Sequence, residues 1–436
     1  MQERSVFGVD ILLVIATLAL MTIGVLFIYS SGVTSDGISF STEWIRQLVW
    51  VALGLGILVA VSVFDYSRLR DISPYIYGTL LLVLAGTLLF GRVVNGARSW
   101  IGIGEFGVQP SEFMKIATIL LLARFLERRG RSIAEPLNFG IAFMIALVPM
   151  GLILLQPDLG TAIVYLPLFL VMAFVAGARP SYILFILGSG ILMIIFTVLP
   201  AWEQEIYGGQ IPLISVLTDS RLFLVVSAGL VLIGLLGLVG VLVMKRHYFV
   251  WVMYAAGVVL AGMAGSYAAR RVLRDYQLMR LIVFLEPNVD PRGAGWNIIQ
   301  SVTAVGSGGI AGKGWLRGTQ SHLQYLPQQS TDFIFSILAE EWGFLGALAV
   351  FVCFSVIVVR GLLISAKAKD NYAALVGAGI VTMVFFHVAV NVGMAIGIMP
   401  ITGIPLLFLS YGGSSLWTAL IGVGLLMSIY QHRYRY

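Results

Sequence analysis

Two carboxylates four residues apart, Glu286 and Asp290, open a run from Leu285 to Gly343 that is neither apolar nor repetitive. The same run carries the glycine-rich segment Gly306–Gly314 with Lys313, then Gln320, Thr331-Asp332 and Glu340-Glu341. Arg270, Arg271, Arg274, Arg280, Arg292, Lys313 and Arg317 make this region basic, and an anionic ligand is the direct chemical reason for such charge. Lipid phosphates serve equally well for the four arginines from Arg270 to Arg280. On chemistry alone Asp290, followed by Pro291, reads as a turn residue. The glycine-rich segment follows no strand pattern and is a weak phosphate-binding signal.

Three further spots carry polar groups among apolar ones. Arg98-Ser99-Trp100 leads to Gln109-Pro110-Ser111-Glu112 and Lys115. Pro110 suits a first helical turn, and Glu112 and Lys115, three apart, share one helix face. Ionisable groups at membrane depth are expensive, so this pair reads as functional, with an internal ion pair as the plain alternative. Asp158, in Gln156-Pro157-Asp158-Leu159-Gly160-Thr161, separates two short apolar runs; it marks either a broken helix pair lining a cavity or a tight turn. Ser410-Tyr411-Gly412-Gly413-Ser414-Ser415 is a close-packing or a ligand-contact segment. His387, one turn before Asn391, suits an interhelical hydrogen bond. The histidines are scattered without metal-ligand spacing, and no dinucleotide or phosphate-loop signature is present, so no metal site is expected. No nucleic-acid partner is expected either.

The elements that must position these groups are membrane helices. The chain has 436 residues, 59% hydrophobic and 11% charged, with a mean hydropathy of +0.96. A soluble domain is roughly 25% charged. The composition therefore predicts an all-α polytopic membrane protein, a single integral membrane domain over 1–436. The apolar runs predict about twelve spans, at about 9–30, 45–64, 74–91, 110–126, 138–155, 160–176, 181–199, 222–244, 248–268, 343–365, 373–398 and 405–429. Cys353 lies in an apolar run and suits packing. Arg68, Arg70, Arg124 to Arg131, Arg179, Lys245-Arg246, Lys367, Lys369, Arg433 and Arg435 gather in alternate short connections and the tail. The positive-inside rule then puts both termini in the cytoplasm and 92–109, 200–221 and the large loop 269–342 outside.

Arg98-Ser99-Trp100, Gln109-Pro110-Ser111-Glu112 with Lys115, Gln156 to Thr161, Asp290-Pro291 with Gly293 to Gly295, Ile299-Gln300-Ser301, Thr331 to Phe335, and Asn391 through Ser415 occur here in one order. In that order they resemble the SEDS family (shape, elongation, division and sporulation) over nearly the whole chain. Gly312 to Trp315 with Gly318 to Ser321 resembles its RodA-like elongation branch more than its division branch. Ser330 stands where the family usually has histidine, and Leu407 where it usually has proline. The family normally has ten spans, so 222–268 reads as an added helical hairpin.

The resemblance implies a peptidoglycan glycosyltransferase of the bacterial cytoplasmic (inner) membrane. Such an enzyme polymerises lipid II during cell elongation with a class B penicillin-binding protein (a transpeptidase) and the elongation machinery. Asp290 corresponds to the family's essential aspartate and is the expected catalytic base. Arg98, Trp100, Glu112, Lys115, Asp158, Lys313, Gln320, Thr331, Asp332 and Ser410 are the expected substrate-binding residues. A lipid pyrophosphate is already a stable leaving anion, so the reaction needs one base and positive charge, not the two carboxylates of a glycosidase. Arg98, Lys115, Lys313 or a divalent cation (Mg2+ or Mn2+) could supply that charge, and the sequence does not choose. The alternative is a flippase or transporter for the same lipid-linked precursor. It needs access from both faces, whereas the polar residues here are concentrated on one side.

Overall fold

Among the residues described by the computed structural model (8–34, 37–94, 97–103, 106–209 and 211–433), ten helices are long and apolar enough to cross a membrane. In chain order the elements begin with α1 (Ile11–Ser31), α2 (Glu43–Val63), α3 (Tyr66–Phe90), β1 (Arg92–Val94), β2 (Ala97–Ile103), β3 (Phe106–Val108), α4 (Pro110–Arg129) and α5 (Pro136–Leu155). There follow α6 (Leu159–Ile163), α7 (Tyr165–Val175), α8 (Pro180–Trp202), α9 (Pro212–Thr218), α10 (Ser220–Met244), α11 (Tyr248–Val272) and α12 (Asp275–Leu285). The chain ends with α13 (Ala294–Ser307), α14 (Thr319–His322), α15 (Ile334–Ala366), α16 (Asn371–Ala395) and α17 (Gly413–His432). Adding α4, which is richer in charge, and the shorter apolar stretch Leu159–Val175 to the ten gives the twelve helices expected. The fold is that of a multi-pass helical membrane protein. The terminal residues, Arg435 among them, lie outside those described.

The structure changes the expected outline in four places. The segment 92–108 is not a plain loop: β1, β2 and β3 form an antiparallel sheet in that order, with Arg92 opposite Trp100 and Ile101 opposite Val108. The last helix starts at Gly413, not near 405, because Gly403 and Gly412 take positive φ (73° and 153°) and Pro405 has no N–H to give a helix. The segment 269–342 is not one open loop: it contains α12, α13 and α14 and the ends of α11 and α15. Finally, the chain forms two compact units: Met1–Gly177 with Asn297–Tyr436, and Ala178–Trp296.

In the first unit local chemistry sets the helix ends. Gln109 is extended, Pro110 occupies the first turn of α4 where its missing N–H does no harm, and Gly130 at φ 49° stops the helix after Arg128-Arg129. Pro167 cannot donate to the carbonyl of Ile163, which accounts for the break between α6 and α7 at Val164. A glycine is required at 160, because a Cβ there would lie 2.3 Å from the carbonyl oxygen of Thr402. The 400–412 segment therefore packs directly on α6. In α15 the backbone breaks helical geometry at Gly343 (φ 63°, ψ −159°). The glycine-rich strip crosses this kink: Phe344 N–H donates to Gly309 O (2.9 Å), Leu345 to Ile310 O (3.1 Å) and Gly314 to Glu341 O (2.9 Å). Those glycines allow backbone to meet backbone, which corrects their reading as a phosphate cradle.

The second unit holds α8–α12. The expected hairpin 222–268 is α10 and α11, joined at Lys245 in left-handed geometry (φ 50°). Almost none of α10 is covered, as suits a helix facing lipid. α12 is two-faced: Gln277, Ile282 and Val283 are buried, while Arg274, Asp275 and Tyr276 are exposed.

Candidate functional site

Glu112 and Lys115 come together as their spacing predicts. Lys115 Nζ donates to Glu112 Oε1 at 2.8 Å, and the two residues are 2% and 0% exposed. They are thus an enclosed ion pair, the plain alternative that the sequence offered. His387 completes the group. Its Nδ1 lies 3.0 Å from the carbonyl oxygen of Pro405, which can only accept, so Nδ1 carries the hydrogen. Nε2 is then a lone-pair acceptor for the Lys115 ammonium at 3.0 Å. Oε2 of Glu112 and Oγ of Ser111 have no partner among the described residues.

Around this triad the loop ends are pinned by side chains. Asp158 caps α6, accepting from Thr161 N–H (3.0 Å) and Oγ1 (2.9 Å), and also accepts from Gln109 Nε2 (2.7 Å). Asn391 donates to the carbonyls of Asp332 (2.9 Å) and Ile404 (2.8 Å). Ser410 Oγ donates to Thr331 O (2.5 Å) and accepts from Leu406 N–H (2.9 Å). Asp158, Thr331, Asp332 and Ser410 thus belong to one framework that holds the 400–412 segment, and Thr331 and Asp332 enter it through their backbone carbonyls.

Lys313 is not a free cation. Its Nζ is 2.7 Å from Glu340 Oε1, a carboxylate with no exposure, and 2.8 Å from Thr319 Oγ1. Glu340 also accepts from the N–H groups of Thr319 (2.8 Å) and Gln320 (3.1 Å). The neighbouring Glu341, equally buried, accepts from Ser30 Oγ (2.5 Å) and Leu316 N–H (3.1 Å) and lies 3.3 Å from His322 Nε2. His322 Nδ1 meets Val33 O at 2.6 Å. The Glu341 carboxylate therefore holds the His322 imidazole above its ordinary value, against a burial effect that lowers it. Arg98 is exposed on β2 and donates to Leu88 O at 3.3 Å, while Trp100 lies over Gly107.

In the second unit Asp290 follows a single turn, Pro287–Val289, and is partly exposed. Its Oδ1 accepts the Gly293 N–H at 3.0 Å, and its carbonyl accepts the Gly295 N–H at 2.9 Å, where α13 begins. The turn role and a base role are compatible, because the N–H fixes the carboxylate's direction. Glu286 Oε1 accepts from Asn288 Nδ2 (2.9 Å). Arg271 and Arg280 stack over Tyr267 (4.5 Å) and Tyr276 (5.5 Å).

Sequence reasoning did not foresee His322 or the work of Glu340 and Glu341. Two adjacent acids at the start of an apolar helix were the available signal. Among the described residues no group of three or more His, Cys, Asp or Glu could hold a metal ion.

Known proteins resemble this chain along nearly its whole length. The family model for FtsW, RodA and SpoVE, described as cell cycle protein, matches residues 11–220 and 211–435. The chain is 51% identical over 432 residues to the peptidoglycan glycosyltransferase RodA of Treponema pallidum, covering 98% of this chain and 99% of that one. It is 32% identical to the peptidoglycan glycosyltransferase MrdB of Escherichia coli K12, covering 97% and 94%. Among solved structures it resembles a chain from work on structural coordination of polymerization and crosslinking by a peptidoglycan synthase complex (TM-score 0.68, 28% identity, 99% and 100% covered). It also resembles the rod-shape-determining protein RodA of Thermus thermophilus (TM-score 0.61, 26% identity, 99% of each chain). The chain belongs to the FtsW/RodA/SpoVE family.

Proposed function

We propose that this protein is a peptidoglycan glycosyltransferase that polymerises lipid II on the outer side of the cytoplasmic membrane. The supporting observation is its 51% identity, along nearly the whole of both chains, to a relative named for that activity. In this reading both termini and the Lys245-Arg246-His247 turn are cytoplasmic, and Asp290 is outside. The resemblance to a chain of a peptidoglycan synthase complex supports a class B penicillin-binding protein as its partner.

In this reading Asp290, the counterpart of the family's essential aspartate, is the general base. It takes the proton from the 4-hydroxyl of the acceptor's terminal N-acetylglucosamine. The freed oxygen attacks the anomeric carbon of the donor's N-acetylmuramic acid, inverts it to a β-linkage and expels undecaprenyl pyrophosphate. The Gly293 N–H bond orients the carboxylate for this task. Of the side chains weighed for the pyrophosphate, Lys115 and Lys313 are each committed to a buried carboxylate. Arg271, Arg274 and Arg292, exposed in the same unit as Asp290, offer charge that a substrate can reach.

The test is polymerisation of labelled lipid II by purified protein. Asp290→Asn keeps the shape but cannot take the proton, so the rate should fall on the order of 10²-fold or more while lipid II binding is largely kept. Glu286→Gln is the control. A dead Glu286→Gln with a near-parental Asp290→Asn makes Glu286 the base; full rates in both overturn the mechanism. Translocation of labelled lipid II in liposomes without polymer would instead establish the transporter.

A further inference from the structure

We infer that His322 is a positioning residue that works as a charged clasp. Its imidazolium joins Val33, just after α1, to Glu341 of α15, and so holds the 313–322 segment in place. The geometry requires the charge. Val33 O can only accept, so the 2.6 Å contact makes Nδ1 a donor. A neutral ring in that tautomer would turn the Nε2 lone pair toward Glu341 Oε1 at 3.3 Å, acceptor against carboxylate. The doubly protonated ring donates to Val33 O and sets a positive charge 3.3 Å from the Glu341 carboxylate.

The surroundings give the same answer. From α15, Glu340 and Glu341 face the segment, both with no exposed side-chain surface. From the segment itself, Lys313 is paired to Glu340. From α1, Ser30 donates its hydroxyl to Glu341, and among the described residues no charged group of α1 faces the cluster. Two buried carboxylates are balanced by two cations only when His322 is charged, and an unpaired buried charge is strongly unfavourable. The same two carboxylates bind the N–H groups of Leu316, Thr319 and Gln320, so neutralising His322 leaves Glu341 short of a cation at the point where it also holds this segment, and loosens the segment's 322 end.

The direction in pH follows. Glu341 raises the folded His322 above its ordinary value near 6.5, so the clasp is fully formed below about pH 6.5 and is lost as pH rises through the raised value. Between about pH 6.5 and the raised value each pH unit should favour opening by up to about tenfold, and above the raised value the effect levels off.

The experiment uses the full chain in nanodiscs with the native thiol removed (Cys353→Ala). Ser321→Cys, at a residue 1% exposed beside the clasp, is compared with Leu323→Cys at a residue 49% exposed. The ratio of their labelling rates with an impermeant maleimide cancels the thiol's own pH dependence. From about pH 6 to about pH 9 the ratio should rise severalfold and then level off, and His322→Gln should make it high and flat. A flat ratio in the parent, or a low ratio kept by His322→Gln, overturns the clasp. The parent's profile decides this even if the variant does not fold. The positioning role rests on the polymerase reading, and lipid II turnover tests it: kcat should fall in step with the labelling ratio. Opening without a change in kcat overturns that role. Labelling needs no turnover, so an inactive parent would count against the polymerase reading alone.

Discussion

Replacing Lys115 by methionine probes the buried triad most directly. The side chain has no exposure and its ammonium bonds Glu112 at 2.8 Å and His387 at 3.0 Å. Methionine fills similar volume, so the main effect is to leave the Glu112 carboxylate, 2% exposed, without its cation. Removing one partner of a buried pair costs about 3–5 kcal/mol. Glu112→Gln is milder, about 1–3 kcal/mol, because the amide carbonyl still accepts from Lys115 and His387 still takes the second bond. The double variant Glu112→Gln/Lys115→Met removes both charges and should be more stable than Lys115→Met alone. The singles should then overshoot the double by about 1–3 kcal/mol, the coupling expected of contacting residues. Denaturant unfolding of the purified protein in one detergent, followed by helical circular dichroism, reads all four corners of the cycle. Singles each within about 0.5 kcal/mol of the parent would match surface charges and refute the buried arrangement. A double variant no better than the sum of the singles would refute the pairing.

Gly343→Ala should destabilise by at least about 1–3 kcal/mol from backbone geometry alone, since its φ of 63° and ψ of −159° suit glycine and a Cβ would sit 2.3 Å from Gly312 N. Gly306→Ala, with nothing within 4 Å, should be neutral or slightly stabilising in the same melt; equal losses at both positions would count against the kink. For topology, cysteine at Arg317 should label with an impermeant reagent in intact cells lacking an outer barrier, and cysteine at Arg246 should not, both in a Cys353→Ala background. The reverse pattern would invert the protein and place Asp290 inside.

Much of this protein was legible from local signals. Apolar length predicted each spanning helix, because a span must satisfy its own backbone in lipid whatever lies beside it. Pro110 and the 3-residue spacing of Glu112 and Lys115 predicted a helix start and a shared face, and both are found. Asp290 was legible only through its resemblance, since its local geometry is that of a turn residue. What the sequence could not reveal were the partners of the buried charges. Lys115 meets His387 across 272 residues, and Ser30 meets Glu341 across 311. The glycine-rich strip looked like a ligand cradle, yet it is the surface on which the Gly343 kink is packed. Lys313 looked like a free cation, yet Glu340 neutralises it. Hydropathy and turn chemistry act between neighbours in the chain, so a sequence carries them openly. A buried charge is stabilised only by an opposite charge or a hydrogen-bonding group within about 4 Å in space, and packing alone decides which distant residue that is.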